Sequence, residues 1–208
     1  MSELFSIQLQ NRQQQGRDGV WLDLPTTTEQ VQAALRQIGI SSDNPQGLFV
    51  SGYFAEEEKR FAIPYNMVLA SSVDELNFLA ARLETLSAGE RAELNAALQA
   101  PQSELSSIGK ITDFPENVDY YVHLPEIHGP AQLGDYYLNR SGMVDMPEEW
   151  KGGIDTAQFG RYVAQQEQGV FTQYGYLVKS GDEWQKVHEG QPVPEEYRVL
   201  SFPAPEIL

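Results

Sequence analysis

Hydrophobic and polar positions alternate at the start of the chain. Phe5, Ile7 and Leu9 share one face of residues 4–10, which predicts an edge-like strand with one buried side. A polar loop from Gln10 to Gly19 closes in the turn Gly16-Arg17-Asp18-Gly19. Val20 to Leu24 is a second alternating run, stopped by Pro25. The period then lengthens. Thr26 with Glu29 reads as a capping box, and Val31, Ala34, Leu35 and Ile38 recur at helical spacing up to Gly39. Leu48 to Phe54 predicts a third strand, so residues 1–62 form a small ββαβ unit.

Residues 63–112 change to helical texture and are expected to form a small bundle. Ser72 and Glu75 make a capping box ahead of Leu76, Leu79, Ala80, Leu83 and Leu86. Ser87 with Glu90 opens a second helix carrying Leu94 and Leu98, which Pro101 breaks, and residues 103–108 suggest one more helical turn.

Residues 113–208 return to mixed character. A linker over 111–118 leads into a strand from Val118 to Leu124. Pro130 suits the first turn of a helix bearing Leu133, Tyr136, Tyr137 and Leu138, which Gly142 ends. Asp155 is a natural N-cap for a helix carrying Phe159, Tyr162 and Val163. Gly169 ends it, and Val170-Phe171-Thr172 with Tyr174, Tyr176 and Leu177 read as strand. Ser180-Gly181-Asp182 is a turn into Trp184 to Val187, and Tyr197 to Phe202 is a final strand candidate. The fold class expected is α+β in three small domains, 1–62, 63–112 and 113–208.

Charge changes this picture more than composition does. Thirty acids oppose fourteen bases over 208 residues, a formal net charge of −16. Sixteen of the acids and six of the bases lie in residues 113–208. Nucleic acid and anionic membrane both require a positive face and are poor partners. A basic protein surface is a good one, and simple solubility is the bland alternative. There are no cysteines, which removes thiolate metal sites and cysteine nucleophiles together. No apolar run nears the ~18 residues that span a bilayer, and Met1 to Gln15 lacks a signal-peptide pattern. The expected location is the cytoplasm.

Catalytic readings fare badly. His123, Glu126 and His128 sit close together, but their spacing matches no helical metal face and Pro125 and Pro130 argue against a helix. The pairs Asp74-Glu75, Glu148-Glu149 and Glu195-Glu196 could hold Mg²⁺, yet a nuclease also needs a basic substrate track. The tyrosines have core or interface spacing rather than the pattern of a base-stacking platform. No enzyme, cofactor or metal is expected. Glu56-Glu57-Glu58 is either a solvated loop or part of a negative stripe.

Four ordered pieces carry a likeness. They are Gly19-Val20-Trp21-Leu22-Asp23-Leu24-Pro25, Glu75-Leu76-Asn77-Phe78-Leu79-Ala80, Leu133-Gly134-Asp135-Tyr136 to Gly142, and Ile154-Asp155 to Gly160-Arg161 followed by the Gly169 to Leu177 ribbon. Over about residues 3–180 the chain resembles the ArdA antirestriction proteins. It departs from them at Tyr162, where the family pattern G-R-D has an acid, and in its continuation past 180.

The resemblance implies an elongated homodimer of three small domains, carried by mobile genetic elements. Such a protein mimics DNA and occupies the DNA-binding groove of Type I restriction–modification enzymes, on their methyltransferase core. On that implication the partner-binding carboxylates are Glu56, Glu57, Glu58, Asp113, Glu116, Asp119, Glu126, Asp135, Asp145, Glu148, Glu149 and Asp155, and the dimer region holds Leu133, Tyr136, Tyr137 and Leu138. Two copies of thirty acids match the charge on roughly 100 Å of duplex at ~1.7 Å per charge. The alternative is an acidic adaptor for another basic or DNA-binding protein.

Overall fold

The computed structural model describes residues 4–14, 18–41, 46–56, 60–101 and 103–200. It is an α+β protein whose chain groups into two compact units, each assembled from separated segments. Unit 1 takes Met1–Ser87, Leu105–Glu116 and Lys186–Leu208, and unit 2 takes Ala88–Glu104 and Asn117–Gln185.

Unit 1 is built on β1 (Phe5–Asn11), β2 (Val20–Leu24) and β3 (Leu48–Phe54), in the order β2-β1-β3 with antiparallel pairing throughout. β1 is therefore the central strand, not an edge. Its alternation shows that one face is buried and is silent on how many neighbours the strand has. The register shifts between Gln8 and Leu9, where β3 bulges. Phe5, Ile7, Leu9, Leu22, Leu24 and Val50 turn inward, with Val31, Ala34 and Leu35 of α1 (Thr28–Gln37) also buried. The capping box of α1 lies one residue later than expected. Thr27 receives the Gln30 N–H while Gln30 Oε1 receives the Thr27 N–H. Thr26 is buried instead, its N–H donated to Asn77 Oδ1 at 2.7 Å.

The helical stretch contributes to both units. α2 (Tyr65–Leu69), α3 (Val73–Glu84) and α5 (Ile108–Thr112) belong to unit 1, and α4 (Ala88–Gln99) belongs to unit 2. Each small sheet needs an apolar cover, and the helices divide between them. Leu76, Leu79 and Leu83 make α3 buried along one side, and Ser72 with Glu75 forms the expected capping box. The helical turn expected over 103–108 lies later: Ser107 caps α5, receiving the Lys110 N–H. The expected linker after it is a 3₁₀ turn, Phe114–Glu116, with Phe114 fully buried.

Unit 2 holds β4 (Tyr121–Leu124), β5 (Val170–Thr172) and β6 (Gly175–Lys179) in the order β4-β6-β5, again antiparallel. The strand expected from Val118 begins only at Tyr121, because Val118–Tyr120 coils into a 3₁₀ turn. Besides α4, three helices accompany the sheet among the described residues: α6 (Pro130–Asp135), α7 (Glu148–Lys151) and α8 (Thr156–Glu167). α6 runs directly into a π-helical turn, Tyr136–Arg140, closed when Ser141 donates its N–H to Tyr136 O at 2.8 Å. Ile127, Leu133, Ala164 and Tyr176 form a core cluster.

Among the described residues the final strand expected from Tyr197 does not form, and the stretch before it is irregular. Trp184 stacks edge-on against Tyr120, and Asn117 brackets Gln185 through both its amide atoms. Glu195–Tyr197 is a 3₁₀ turn, and Ser201 and Phe202 lie outside the described residues.

Candidate acidic partner-binding surface

The twelve carboxylates named from the sequence have divergent fates. Asp119, Glu126, Asp145, Glu148, Glu149 and Asp155 are exposed on unit 2, and Glu56 is exposed just past β3. Glu57 and Glu58 lie outside the described residues. Asp135 is half-buried; it accepts from Asn139 Nδ2 at 2.8 Å and faces Arg140 Nε at 3.4 Å. Glu148 pairs with Lys151 Nζ at 2.6 Å.

Two of the set are engaged inside unit 1. Asp113 is 0% exposed, and its carboxylate receives the backbone N–H groups of Val187, His188 and Glu189 at 3.2, 2.6 and 3.2 Å. An expected partner-facing acid is thus an internal anchor, because three convergent donors replace its water shell. Glu116 forms an ion pair with Arg82. Sequence reasoning missed a second anchor, Asp74, whose Oδ1 receives the Val199 and Leu200 N–H groups, both at 2.8 Å. Its place in a helical first turn explains it equally well, so nothing in the sequence marked it.

The scaffold beneath the unit 2 carboxylates is set by glycines. α6 and α8 meet where neither can carry a side chain. A Cβ on Gly134 would lie 1.9 Å from Thr156 O, and one on Gly160 would lie 1.8 Å from Pro130 O. Asp155 starts α8 by accepting the Ala157 and Gln158 N–H groups at 2.9 and 3.0 Å. Gln168 ends it in the left-handed region, and Gly169 then packs under the Tyr176 ring, where a Cβ would lie 1.9 Å from Tyr176 Oη. The pieces around Gly134 and around Asp155 to Gly160 are therefore two sides of one helix crossing, and the Gly169 to Tyr176 piece locks the end of the second helix. A family model for the antirestriction protein ArdA matches residues 15–178. The chain belongs to the ArdA family. A comparison with curated proteins returns no match.

Membership in the ArdA family implies an antirestriction protein, an inhibitor that acts on restriction enzymes. The match stops at Val178, so the segment that supplies N–H groups to Asp74 and Asp113 lies beyond it. Among the described residues no group of three or more His, Asp or Glu is arranged to hold a metal. No described helix is long and apolar enough to cross a membrane.

In the stretch implied to be the dimer region, Leu133 and Leu138 are buried within their own unit, and Tyr136 and Tyr137 are half-buried. The Tyr137 and Tyr176 hydroxyls both donate to Glu167, at 2.5 and 2.9 Å. Burial, then the bond to this carboxylate, holds both phenols above their ordinary range. Glu93 on α4 contrasts with them. Burial, reinforced by the charges of Asp119 and Glu90, pushes its carboxyl up to about 8, and its Oε1 has no hydrogen-bond partner.

Proposed function

We propose that this ArdA protein is a DNA mimic that occupies the DNA-binding groove of Type I restriction–modification enzymes and so protects incoming mobile DNA. The observation that carries the reading is the exposed set Asp119, Glu126, Asp145, Glu148 and Glu149, in a unit holding thirteen acids against five bases. Lysines and arginines that neutralise phosphates gain from counter-ion release and steered association, and a dense carboxylate surface offers both. The reading includes an elongated dimer. Leu133 and Leu138 would shape its contact from within, and the half-buried Tyr136 and Tyr137 would meet the partner copy. Asp113 has no place on the mimic surface.

The test is a competition assay between a Type I restriction enzyme, its DNA substrate and the protein at two salt concentrations. Stoichiometric inhibition that fades as salt rises is expected. Reversing Glu126, Asp145, Glu148 and Glu149 to lysine together should weaken inhibition by tenfold or more, on the order of 1.4 kcal/mol. A folded variant that inhibits as well as wild type would sink the mimicry. No inhibition by wild type would favour the acidic adaptor, and capture from host lysate would then show which basic protein it holds.

A further inference from the structure

The solvent face of the N-terminal sheet carries an aromatic pair that the charge argument does not use. Directly paired residues share a face, so Asp23, Ser6 and Phe54 form one row across β2, β1 and β3, and Trp21, Gln8 and Gly52 form the next. Trp21 and Phe54 are 50% and 54% exposed, with ring centroids 6.5 Å apart and planes at 74°. The indole lies across the central strand: a Cβ on Gly52 would lie 3.1 Å from Trp21 Cη2. Ser6 Oγ donates to Asp23 Oδ1 at 2.6 Å and fixes that carboxylate beside the rings. At the other end of the same face the Arg12 guanidinium sits 5.2 Å from the Phe49 centroid, opposite Gln10. One end of the sheet already stacks an arginine on an aromatic. Among the described residues, no cation covers the Trp21–Phe54 end.

We infer that Trp21, Phe54 and Asp23 form a docking site for an arginine side chain of a protein partner. The inference rests on the reading above, in which the partner presents a basic, DNA-binding surface. A planar guanidinium can stack on the indole face and fork onto a carboxylate at once, which an ammonium cannot. A nucleic acid base would stack equally well, but its phosphates would meet Asp23 and a protein of net charge −16. A second copy docked through the same face would place two Asp23 carboxylates in one two-fold contact and supply no guanidinium for either. The site adds selectivity for arginine to a surface whose charge alone does not separate arginine from lysine.

The experiment compares binding of a short oligoarginine and an oligolysine of equal length to the full chain, with the restriction assay run in parallel. Wild type should bind the arginine peptide about threefold more tightly or better, the worth of an exposed cation–π contact. Trp21→Ala with Phe54→Ala should erase that preference, leave lysine-peptide affinity in place, and weaken inhibition of the enzyme. A preference that survives the double variant, or equal weakening toward both peptides, overturns the site. So does a changed oligomeric state in the variant, which would assign the face to a contact between copies. Should the double variant fail to fold, Asp23→Asn is expected to lower the preference and Trp21→Phe to retain most of it; the reverse order overturns the proposal. Wild-type inhibition without arginine preference removes this site alone. Arginine preference without inhibition removes the restriction-enzyme reading alone.

Discussion

In unit 1 the carboxylates of Asp74 and Asp113 turn inward and receive five backbone N–H groups between them. In unit 2 Asp119, Glu126, Asp145, Glu148 and Glu149 stand in solvent. Counted along the sequence, the acids pile up after residue 113. Counted by unit, seventeen acids face nine bases in unit 1 and thirteen face five in unit 2, the same net charge in each. Each unit puts some of its carboxylates to structural use: Asp74 and Asp113 tie down distant chain in unit 1, and Glu167 and Asp155 hold tyrosines and a helix start in unit 2. Formal charge is a weak guide to an electrostatic surface until each carboxylate's donors are known.

The comparison can be broken first at the unit 2 scaffold. Gly160→Ala places a methyl where Pro130 O stands, and neither helix backbone can yield locally. A stability loss of about 3 kcal/mol is expected in urea unfolding. An unchanged midpoint would mean that the helices cross less closely than described. The next test removes charge in both units and reads two outputs. Asp113→Ala should cost about 2 kcal/mol, since three partly buried N–H donors lose their acceptor. Glu148→Lys with Glu149→Lys should leave stability nearly unchanged and weaken inhibition. If the two variants behave alike in both assays, the division between anchoring and exposed carboxylates is wrong.

The smallest effect concerns Glu93. Its carboxyl is raised in the folded protein, so the folded state holds a proton that the unfolded state releases. Stability is complete below the unfolded value near 4.5 and is lost as pH climbs through about 8. Glu93→Gln should match wild type at pH 4 and be more stable at pH 9. Partial solvent access limits the gain to about 1–2 kcal/mol. Thermal melts at the two pH values check the sign.

Periodicity made much of the fold legible. The bounds of β2 and β3, the buried stripe of α3, the Asp155 cap and the first-turn Pro130 all follow from local rules and hold in the structure. Errors came where a residue's role depends on distant chain. β1 is central because β3 returns to its far side, and that return is a long-range event. Tyr120 looked like strand but coils, its ring held between Tyr121 and Trp184. Asp113 looked like one more linker acid, because its donors are 74 to 76 residues downstream. The candidate site was legible as composition and as ordered motifs. Its division into anchoring and exposed carboxylates was not.

The route of the chain also sets an order of assembly. It leaves unit 1, completes unit 2, and only then supplies residues 186–200 to the carboxylates waiting at Asp113 and Asp74. During synthesis, which proceeds from the N-terminus, unit 2 has all its strands before unit 1 has its last donors. Asp74 and Asp113 spend that interval hydrated, without these donors. Residues 186–200 then take the place of that water, so unit 1 closes only once a stretch made after unit 2 is in hand.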